Sequence, residues 1–422
     1  MAMNKGKRAK ILAMGGLFFC CGCSHSPEPE LIPQTETEVV IPVTFRVEPL
    51  TNQSDNEQFV KDFNQEFAGE YRMEPNWLIE STSGYRNKLK QWNVLDQLPV
   101  LITDAGFDYD FYRVLAENDR LVDLKPWMEA SDFWLDAMNP DILAGCTEPD
   151  GRVYLSPLGN NVHTYAGIIY REDLLASAGY EEFPQTWEEF WDCLDALKQD
   201  GITPLALHGS GSYWVPMLLA TAYIYGDAEG KEFLDKRLPD SYQNEEMREL
   251  MEFLRRLYGY TFPDALELDY DQTAARLIDG QAALIANGRW MFETIGEENY
   301  EKYRFAPFPG GILMNSPQMS AWAVTSGYSD EVTEGAVRAL EFRIRCAQDT
   351  KDVSDGSALM DSYIAATEMD YRVMPNFQLQ WEQEIQNEFF TEYMPGFLAG
   401  EIQTDEFLKM MDERVEEIQS KK

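Results

Sequence analysis

The first regular pattern of apolar and polar side chains begins at Val40. Apolar residues alternate with polar ones over 41–47, and this period of two predicts a strand with one buried face. A helix is predicted next, because Ser54 and Glu57 have the spacing of a capping box and apolar residues recur at helical spacing through 59–67. The regular pattern of the chain therefore begins with a strand followed by a helix.

A second strand and helix follow in the same order. The segment 98–106 (LPVLITDAG) predicts a short buried strand that ends in Asp and Gly, and a helical pattern then runs to Glu117. Strand, helix, strand and helix in succession indicate a parallel sheet with crossover helices. Because ligands bind beyond the carboxyl ends of such strands, Asp104 is a candidate ligand contact.

A second α/β block begins near Tyr165. Further strands are predicted at 166–170, 202–207, 305–309 and 320–326. Long helical patterns fill 210–300, and the tail 358–419 is also predicted to be helical. The sequence thus indicates an α/β protein with two blocks and a helical C-terminal tail.

One helix of the second block has an explicit start signal. Thr186 is followed three residues later by Glu189, which is the spacing of a capping box. Trp187 and Trp191 belong to one apolar stripe of this helix. We therefore assign both indoles to the core rather than to a site.

Composition excludes several classes of protein. The chain has 422 residues, with 35 Lys plus Arg against 73 Asp plus Glu, so its formal net charge is −38. Such a surface repels phosphate backbones and excludes a nucleic-acid partner. A hydrophobic content of 44% allows a sizeable core, which argues against disorder.

Three histidines (His25, His163 and His208) leave little room for a metal site or a histidine-based triad, and no cofactor is expected.

The N-terminal residues are typical of a targeting segment. Residues 1–22 combine basic residues with an apolar stretch of signal-peptide length, although no run reaches the roughly 18 residues of a spanning helix. Cys23 follows a glycine and resembles the lipidated cysteine of bacterial lipoproteins; an ordinary secreted protein cut nearby is the alternative. Residues 23–39 are rich in Pro, Glu, Ser and Thr, which predicts a flexible tether.

The three cysteines after the tether are odd in number and far apart, so no disulfide framework is expected (Cys146, Cys193 and Cys346).

The segment 166–209 resembles a known family. It contains a buried strand running into Tyr-x-x-Asp-Leu-Leu, then Ala-Gly, Pro-x-Thr-Trp-x-Glu and Gly-Ile-x-Pro-Leu. This order resembles the signature of family 1 extracellular solute-binding proteins, the maltose-binding-protein-like receptors of ABC importers. Three further segments resemble the family in the expected order: 279–290 (DGQAALIANGRW), 305–311 (FAPFPGG) and 397–413 (FLAGEIQTDEFLKMMDE).

The resemblance implies a two-lobe periplasmic-binding-protein-like fold of type II, with a hinge of two to three chain crossings and a ligand in the cleft between the lobes. We expect crossings near Asn160–Thr164, Arg304–Phe308 and Gln348–Asp355. The expected N-terminal lobe consists of 40–163 and 305–352, and the expected C-terminal lobe consists of 164–304 and 353–422. The implied ligands are oligosaccharides or other neutral sugars, and the implied partners are a permease and an ATPase.

A sugar receptor needs flat aromatic platforms together with planar hydrogen-bonding groups, because a sugar presents C–H faces and rings of hydroxyls. Trp290 is the first choice for a platform, since it occupies the Gly-x-Trp position that lines the cleft in related receptors. A core role is the alternative for each platform candidate: Trp290, Trp322, Tyr213, Trp214 and Trp381. Trp322 lies at the expected lobe junction, Tyr213 and Trp214 follow the GSGS loop, and Trp381 resembles a stacking position of the family.

The polar candidates lie in loops. Asp104, Asn160, Asn161 and His163 are expected to line the cleft, with turn or junction roles as the alternative. Asn287 and Arg289 flank the Gly of the Gly-x-Trp motif and are weaker candidates.

Two functions of different classes account for these features. The first is a receptor that is anchored to the cell envelope through Cys23, acts as a monomer and delivers an intact sugar to a permease. The second is a secreted glycoside hydrolase, which would need a pair of carboxyl groups at a defined separation. Adjacent acids such as Glu188 and Glu189 arise freely in so acidic a chain and do not indicate catalysis. The sequence therefore favours binding without chemistry.

Overall fold

A computed structural model describes residues 38–47, 54–80, 82–103, 109–138, 140–148, 150–158, 165–210, 213–226, 241–315, 321–349, 354–369, 372–374 and 383–420. The predicted signal peptide, Cys23 and nearly all of the predicted tether lie outside these residues.

Helices and strands alternate along most of the described chain, as the sequence predicts. The strands are β1 Val39–Val47, β2 Tyr71–Ile79, β3 Leu101–Ile102, β4 Ala166–Arg171, β5 Thr203–Leu205, β6 Ala282–Gly288, β7 Tyr303–Ala306, β8 Ile312–Met314, β9 Ala323–Val324 and β10 Arg372–Met374. The helices are α1 Ser54–Glu66, α2 Thr82–Val94, α3 Tyr109–Glu117, α4 Lys125–Ala130, α5 Pro140–Gly145, α6 Glu172–Ser177, α7 Trp187–Gln199, α8 Trp214–Ile224, α9 Glu245–Leu257, α10 Tyr270–Ile278, α11 Phe292–Ile295, α12 Asp330–Asp349, α13 Ala358–Glu368, α14 Gln383–Glu388, α15 Met394–Leu398 and α16 Thr404–Ser420.

Two of these helices begin at capping boxes. At α7, the Thr186 hydroxyl accepts the Glu189 N–H and the Glu189 carboxylate accepts the Thr186 N–H, which confirms the predicted start signal. At α10, Asp269 and Gln272 make the same reciprocal pair. The first residue of α10 is therefore held in place, and that residue matters for the site described below.

The first sheet has the strand order β2-β1-β3-β9. Its first three strands are parallel, with Val39 opposite Tyr71 and Val47 opposite Ile79, whereas β9 runs antiparallel to β3. The predicted parallel sheet with crossover helices is confirmed for this part of the chain. The N-terminal end of β9 consequently lies at the same edge as the carboxyl ends of β1 and β3.

The second sheet has the order β10-β8-β4-β6-β5, and β7 pairs with β4. Strand β6 runs parallel to β5 and antiparallel to β4, so Gly288 at its carboxyl end lies opposite Ala166. All seven residues of β6 are buried. The expectation of helices throughout 210–300 was wrong here, because a continuous apolar run does not distinguish a central strand from a buried helix.

The boundary predicted near residue 305 was also wrong. Phe305 and Ala306 pair with β4, and Met314 lies opposite Ala166, so this part of the chain stays in the second sheet rather than crossing to the first. The chain passes between the sheets at 158–165, at 315–321 and after Asp349. The FPGG turn at 308–311 connects two strands of one sheet, and a turn signal alone does not reveal which sheet follows it.

The core is apolar and extends through both sheets. It includes Phe45 of β1 and Ile285 of β6, and also Trp191 at 7% exposure, which confirms the core assignment of that indole. Cys146 and Cys193 are buried thiols, and burial raises the pKa of both. In the described part of the chain, no helix combines the length and the apolar character needed to cross a bilayer.

Candidate ligand-binding site

The topology brings several predicted site residues to one edge of the second sheet. Strands β5, β6, β8 and β10 all end at this edge, since β6 is parallel to β5 and antiparallel to β4, β8 is antiparallel to β4, and β10 is parallel to β8. The residues that follow β5 and β6 include Trp214 and Trp290. The passes at 158–165 and 315–321 span at most about 25 Å, because an extended residue covers at most about 3.6 Å. The corresponding edge of the first sheet therefore lies close by.

Four rings meet at this edge, and we call them the aromatic cluster: His208, Trp214, Tyr270 and Trp290. The ring centres of Trp214 and Trp290 are 6.2 Å apart with planes tilted by 52°, and those of Trp214 and Tyr270 are 5.1 Å apart with a tilt of 46°. His208 lies 6.2 Å from Trp214 and 6.0 Å from Tyr270. These ring-centre distances all lie in the range of about 4.5–7 Å at which aromatic rings attract one another, so the cluster is a packed wall and not a set of independent side chains.

Exposure differs sharply across the cluster. His208 is fully buried, Trp214 and Tyr270 are half-buried, and Trp290 is 47% exposed. An indole that remains so exposed beside other rings offers apolar area to a ligand. Trp290 and Trp214 thus stand together at this edge, and their role as ligand platforms stays a prediction.

Gly288 allows the Trp290 ring to lie against the end of β6. A Cβ atom on Gly288 would stand 2.3 Å from Cζ3 and 2.4 Å from Cη2 of that indole. The backbone of Gly288 is extended, with φ −123° and ψ −175°, so no unusual conformation calls for glycine at this position. The glycine of the Gly-x-Trp motif is therefore required for space.

A buried amide orients the phenol of Tyr270. The Nδ2 of Asn287 donates to the Tyr270 hydroxyl at 3.0 Å, and its Oδ1 accepts the N–H of Gly288 at 2.8 Å. Asn287 is fully buried, so it supports the cluster from behind rather than contacting a ligand itself. Burial raises the pKa of Tyr270, with a smaller opposing effect of the bond from Asn287, and the phenol therefore remains a neutral donor at physiological pH.

Two predicted platforms are core residues instead. Tyr213 is 1% exposed and stacks on Phe390 with ring centres 5.6 Å apart. Trp322 is 5% exposed and packs edge-on against Phe45 of β1 and Phe59 of α1. The geometry does not support either ring as a ligand platform, because each has its surface covered by the protein.

Of the remaining site candidates, Arg289 is described by the structure and the others are not. Arg289 donates its backbone N–H to Tyr165 at 3.3 Å, and its guanidinium lies 4.8 Å from the ring centre of Phe292. Five candidates lie outside the described residues, and their placement stays a prediction: Asp104, Asn160, Asn161, His163 and Trp381.

Sequence reasoning missed Tyr270 and His208 as members of the cluster. Tyr270 is the first residue of a capped helix that precedes the Gly-x-Trp strand, and His208 follows β5 at its carboxyl end. The carboxyl-end argument that selected Tyr213 and Trp214 could have selected His208 as well. Tyr270 carries no such signal, since only the packing of α10 beside β6 brings it to the edge.

The described side chains at this edge are aromatic rings and a phenol hydroxyl, which suit ligand binding. In the described ranges, no group of His, Cys, Asp and Glu side chains is arranged to hold a metal ion. Glu189, one of the adjacent acids considered for a hydrolase, accepts N–H bonds from Gln185 and Thr186 at 3.0 Å, and these bonds lower its pKa. A general acid needs the opposite shift, so this carboxylate serves as a helix cap.

Comparison with known proteins agrees with this geometry. The family model of the bacterial extracellular solute-binding proteins matches residues 58–358. A probable sugar-binding periplasmic protein of Rhizobium meliloti is 26% identical over 250 residues, 57% of this chain and 58% of that protein. A Pyrococcus horikoshii protein, described as an uncharacterized ABC transporter extracellular-binding protein, is 23% identical over 219 residues, 49% of each chain. The chain thus spans only about half to three fifths of the length of these curated relatives.

Among solved structures, a chitin oligosaccharide binding protein superposes with a TM-score of 0.69 at 21% identity, covering 90% of this chain and 98% of that one. This likeness shows the fold, and the predicted two-lobe α/β architecture is confirmed. The matching family is one of binding proteins rather than enzymes, which confirms the choice against a glycoside hydrolase. The chain belongs to the bacterial extracellular solute-binding proteins, as its family 1 sequence motifs predicted.

Proposed function

We propose that this protein is the extracellular receptor of an ABC importer and that it binds an oligosaccharide or another neutral sugar between its two lobes. The observation that carries this proposal is the exposed indole of Trp290, which stands beside Trp214 and Tyr270 at the carboxyl edge of the second sheet. A sugar ring presents a C–H face that stacks on such an indole and hydroxyls that bond to neighbouring polar groups. The name of the Rhizobium relative, a probable sugar-binding protein, supports the same ligand class.

The cellular setting is proposed from the N-terminal sequence. Residues 1–22 would be removed as a signal peptide, Cys23 would carry the lipid, and the tether would hold the two lobes at the outer face of the membrane. In this setting the receptor acts as a monomer and delivers its sugar intact to a permease and an ATPase. The description of the Pyrococcus relative as an ABC transporter binding protein supports these partners.

Calorimetric titration of the purified protein with a panel of mono- and oligosaccharides tests the proposal. We expect saturable one-to-one binding of at least one sugar, with the sugar recovered unchanged afterwards. A ligand that binds only the folded protein also raises its apparent stability, so a thermal-shift screen can select the sugars to titrate. Absence of binding across the panel would contradict the proposal, and release of shorter glycans would favour the hydrolase instead.

Replacing Tyr270 by Phe should weaken sugar binding about tenfold. The variant keeps the ring that packs on Trp214 but removes a hydroxyl that Asn287 holds in place, and loss of one such bond costs about 1–1.5 kcal/mol. Titration with the best sugar of the panel measures the change. Tyr260→Phe is the matched control, because its hydroxyl donates to Asp195 of α7 at 2.9 Å and its ring is not part of the aromatic cluster. Equal affinities for the two variants would remove Tyr270 from the site.

A further inference from the structure

Two strongly exposed aliphatic side chains stand at the end of α2. Val94 is 84% exposed and Leu95 is 61% exposed. The hydroxyl of Tyr328, a residue that is itself 37% exposed, donates to the carbonyl of Leu98 at 2.5 Å. The turn after β9 therefore lies against the segment that follows α2. We call Val94, Leu95 and Tyr328 the apolar tip, and exposed apolar side chains that stand together often mark an interaction surface.

The apolar tip lies at the edge of the first sheet where β1, β2 and β3 begin. These strands are parallel, and α2 connects β2 to β3, so the helix runs back and ends at the starting edge. Strand β9 is antiparallel to β3, so the turn that carries Tyr328 is at the same edge. β1 has nine residues, which span about 26 Å. That length separates the apolar tip from the carboxyl edge of the sheet.

The chain enters the first sheet at this same starting edge, through Glu38 and Val39. Fourteen residues (24–37) separate Glu38 from Cys23, the proposed site of the lipid. Even a fully extended chain of this length reaches at most about 55 Å. A lipid on Cys23 therefore keeps the starting edge, and the apolar tip with it, within that distance of the bilayer.

The charge of α2 differs from that of the whole chain. The helix contains three basic residues and no acidic residue, within a chain of net charge −38 (Arg86, Lys88 and Lys90). Lys90 is exposed and stands one helical turn before Val94. A cation thus lies beside the apolar tip, which is the combination that suits the anionic surface of a bilayer.

Acidic residues of the neighbouring turns face arginines. The Asp96 carboxylate accepts from Arg120 at 2.6 Å. The Asp119 carboxylate lies 3.8 Å from the guanidinium of Arg152. Charges farther than about 8 Å from a surface are largely screened at physiological ionic strength, so the acidity of the whole chain does not prevent contact at this edge.

The acidic first turn of α12 belongs to the opposite face of the sheet. Ring centres of Phe342 in α12 and Phe59 in α1 are 5.8 Å apart, so these two helices pack together. α2 and α3 instead share a separate apolar cluster with Ile102 of β3. Leu101 belongs to the larger core of the first face, and successive residues of a strand point to opposite faces. The side of the edge that carries α2 is therefore the less acidic side.

We propose that the apolar tip, together with the basic residues of α2, rests on the anionic surface of the lipid bilayer that holds the anchor. Exposed aliphatic and phenol side chains enter the headgroup region, and neighbouring lysines interact with anionic headgroups. So small a surface binds weakly by itself, but a short link to the same bilayer raises its effective concentration to about the millimolar range. The carboxyl edge, where ligands are expected, then faces the medium. This docking rests on the lipid anchor of the proposed function and not on the identity of the sugar.

Fluorescence quenching by labelled lipid tests this docking on the anchored protein. The lipidated protein is purified from membranes and reconstituted into vesicles of phosphatidylcholine and phosphatidylglycerol, some of which carry a nitroxide on the headgroup. A fluorophore is attached through Gln97→Cys, an exposed position next to the apolar tip, or through Glu188→Cys in α7 as the control position. The background is Cys346→Ser, because Cys146 and Cys193 are buried.

We expect the label at position 97 to lose at least about half of its emission and the label at position 188 less than about a tenth. Leu95→Asp should reduce the quenching at position 97 at least about twofold, because a carboxylate is repelled by the anionic surface. Met369→Asp is the matched control, since Met369 is a 54% exposed apolar residue that follows α13 and lies outside the apolar tip. Thermal denaturation verifies that both variants fold.

Equal quenching at positions 97 and 188 would overturn the docking, and so would parental quenching in Leu95→Asp. Mass spectrometry of the purified protein shows separately whether Cys23 carries a lipid. If it does not, the anchoring in the proposed function fails. A hexahistidine tag before Ser24 then holds the same chain on nickel-chelating lipid, and the comparison of positions 97 and 188 still decides whether the apolar tip contacts the bilayer.

Discussion

Replacing Trp290 by Ala should weaken sugar binding about 30- to 150-fold. The indole is 47% exposed in the free protein, and stacking a sugar on it would bury apolar area worth about 2–3 kcal/mol. Because the ring projects from the end of β6 and is not part of the core, we expect little change in the midpoint of thermal unfolding. Isothermal titration with the best ligand of the panel, alongside thermal denaturation, measures both quantities.

Trp127→Ala provides the comparison for this variant. Trp127 is a half-buried indole of α4, far along the chain from the aromatic cluster, and the chain just before α4 bonds to β9 of the first sheet through the N–H of Val122. It should keep the parental affinity. If Trp290→Ala bound sugar as tightly as Trp127→Ala, the exposed indole would not be a platform and the proposed site would be wrong.

Replacing Gly288 by Ala should weaken sugar binding at least about tenfold while leaving Trp290 in the sequence. The added Cβ would stand 2.3 Å from the indole, so the ring must leave its position against the end of β6. The extended backbone of Gly288 suits any residue, and the change therefore acts through the ring rather than through backbone strain. Fluorescence of the indole should shift as its surroundings change, and titration measures the affinity.

Gly259→Ala is the matched control for this substitution. A Cβ on Gly259 meets no atom within 4 Å, so the same chemical change should be silent there. Unchanged affinity and unchanged fluorescence for Gly288→Ala would mean that the ring tolerates displacement, and the steric role assigned to this glycine would be lost.

Short-range sequence patterns, namely alternating polarity and a helix-capping pair, predicted the fold class correctly. Alternation over 41–47 predicted β1, and the Thr186–Glu189 pair predicted the start of α7 at Trp187. Each of these signals depends only on residues close together in the chain, since a strand exposes every second side chain and a capping box spans four residues. Ordered motifs over most of the chain predicted the family. The sequence therefore determined the architecture and the class of function.

Tertiary structure decided which aromatic rings are exposed. Trp290 and Trp322 were both predicted to be ligand platforms, yet one is 47% exposed and the other 5%. The difference arises because Phe45, Phe59 and Arg343, all distant in sequence, cover Trp322. Burial is a property of packing between remote segments, and no local pattern records it.

The sheet to which a strand belongs was likewise decided only in three dimensions. The sequences of 282–288 and 303–306 do not show which sheet each segment joins. Both segments pair with β4, and this pairing places them in the second sheet. Tyr270 reaches the site for the same reason, since α10 packs beside β6 and Asn287 then holds the phenol. Hydrogen bonds between strands and contacts between helices and strands depend on chain folding. For that reason the sequence alone predicted a two-lobe fold, but neither the sheet that receives the strand after residue 302 nor the full wall of the site.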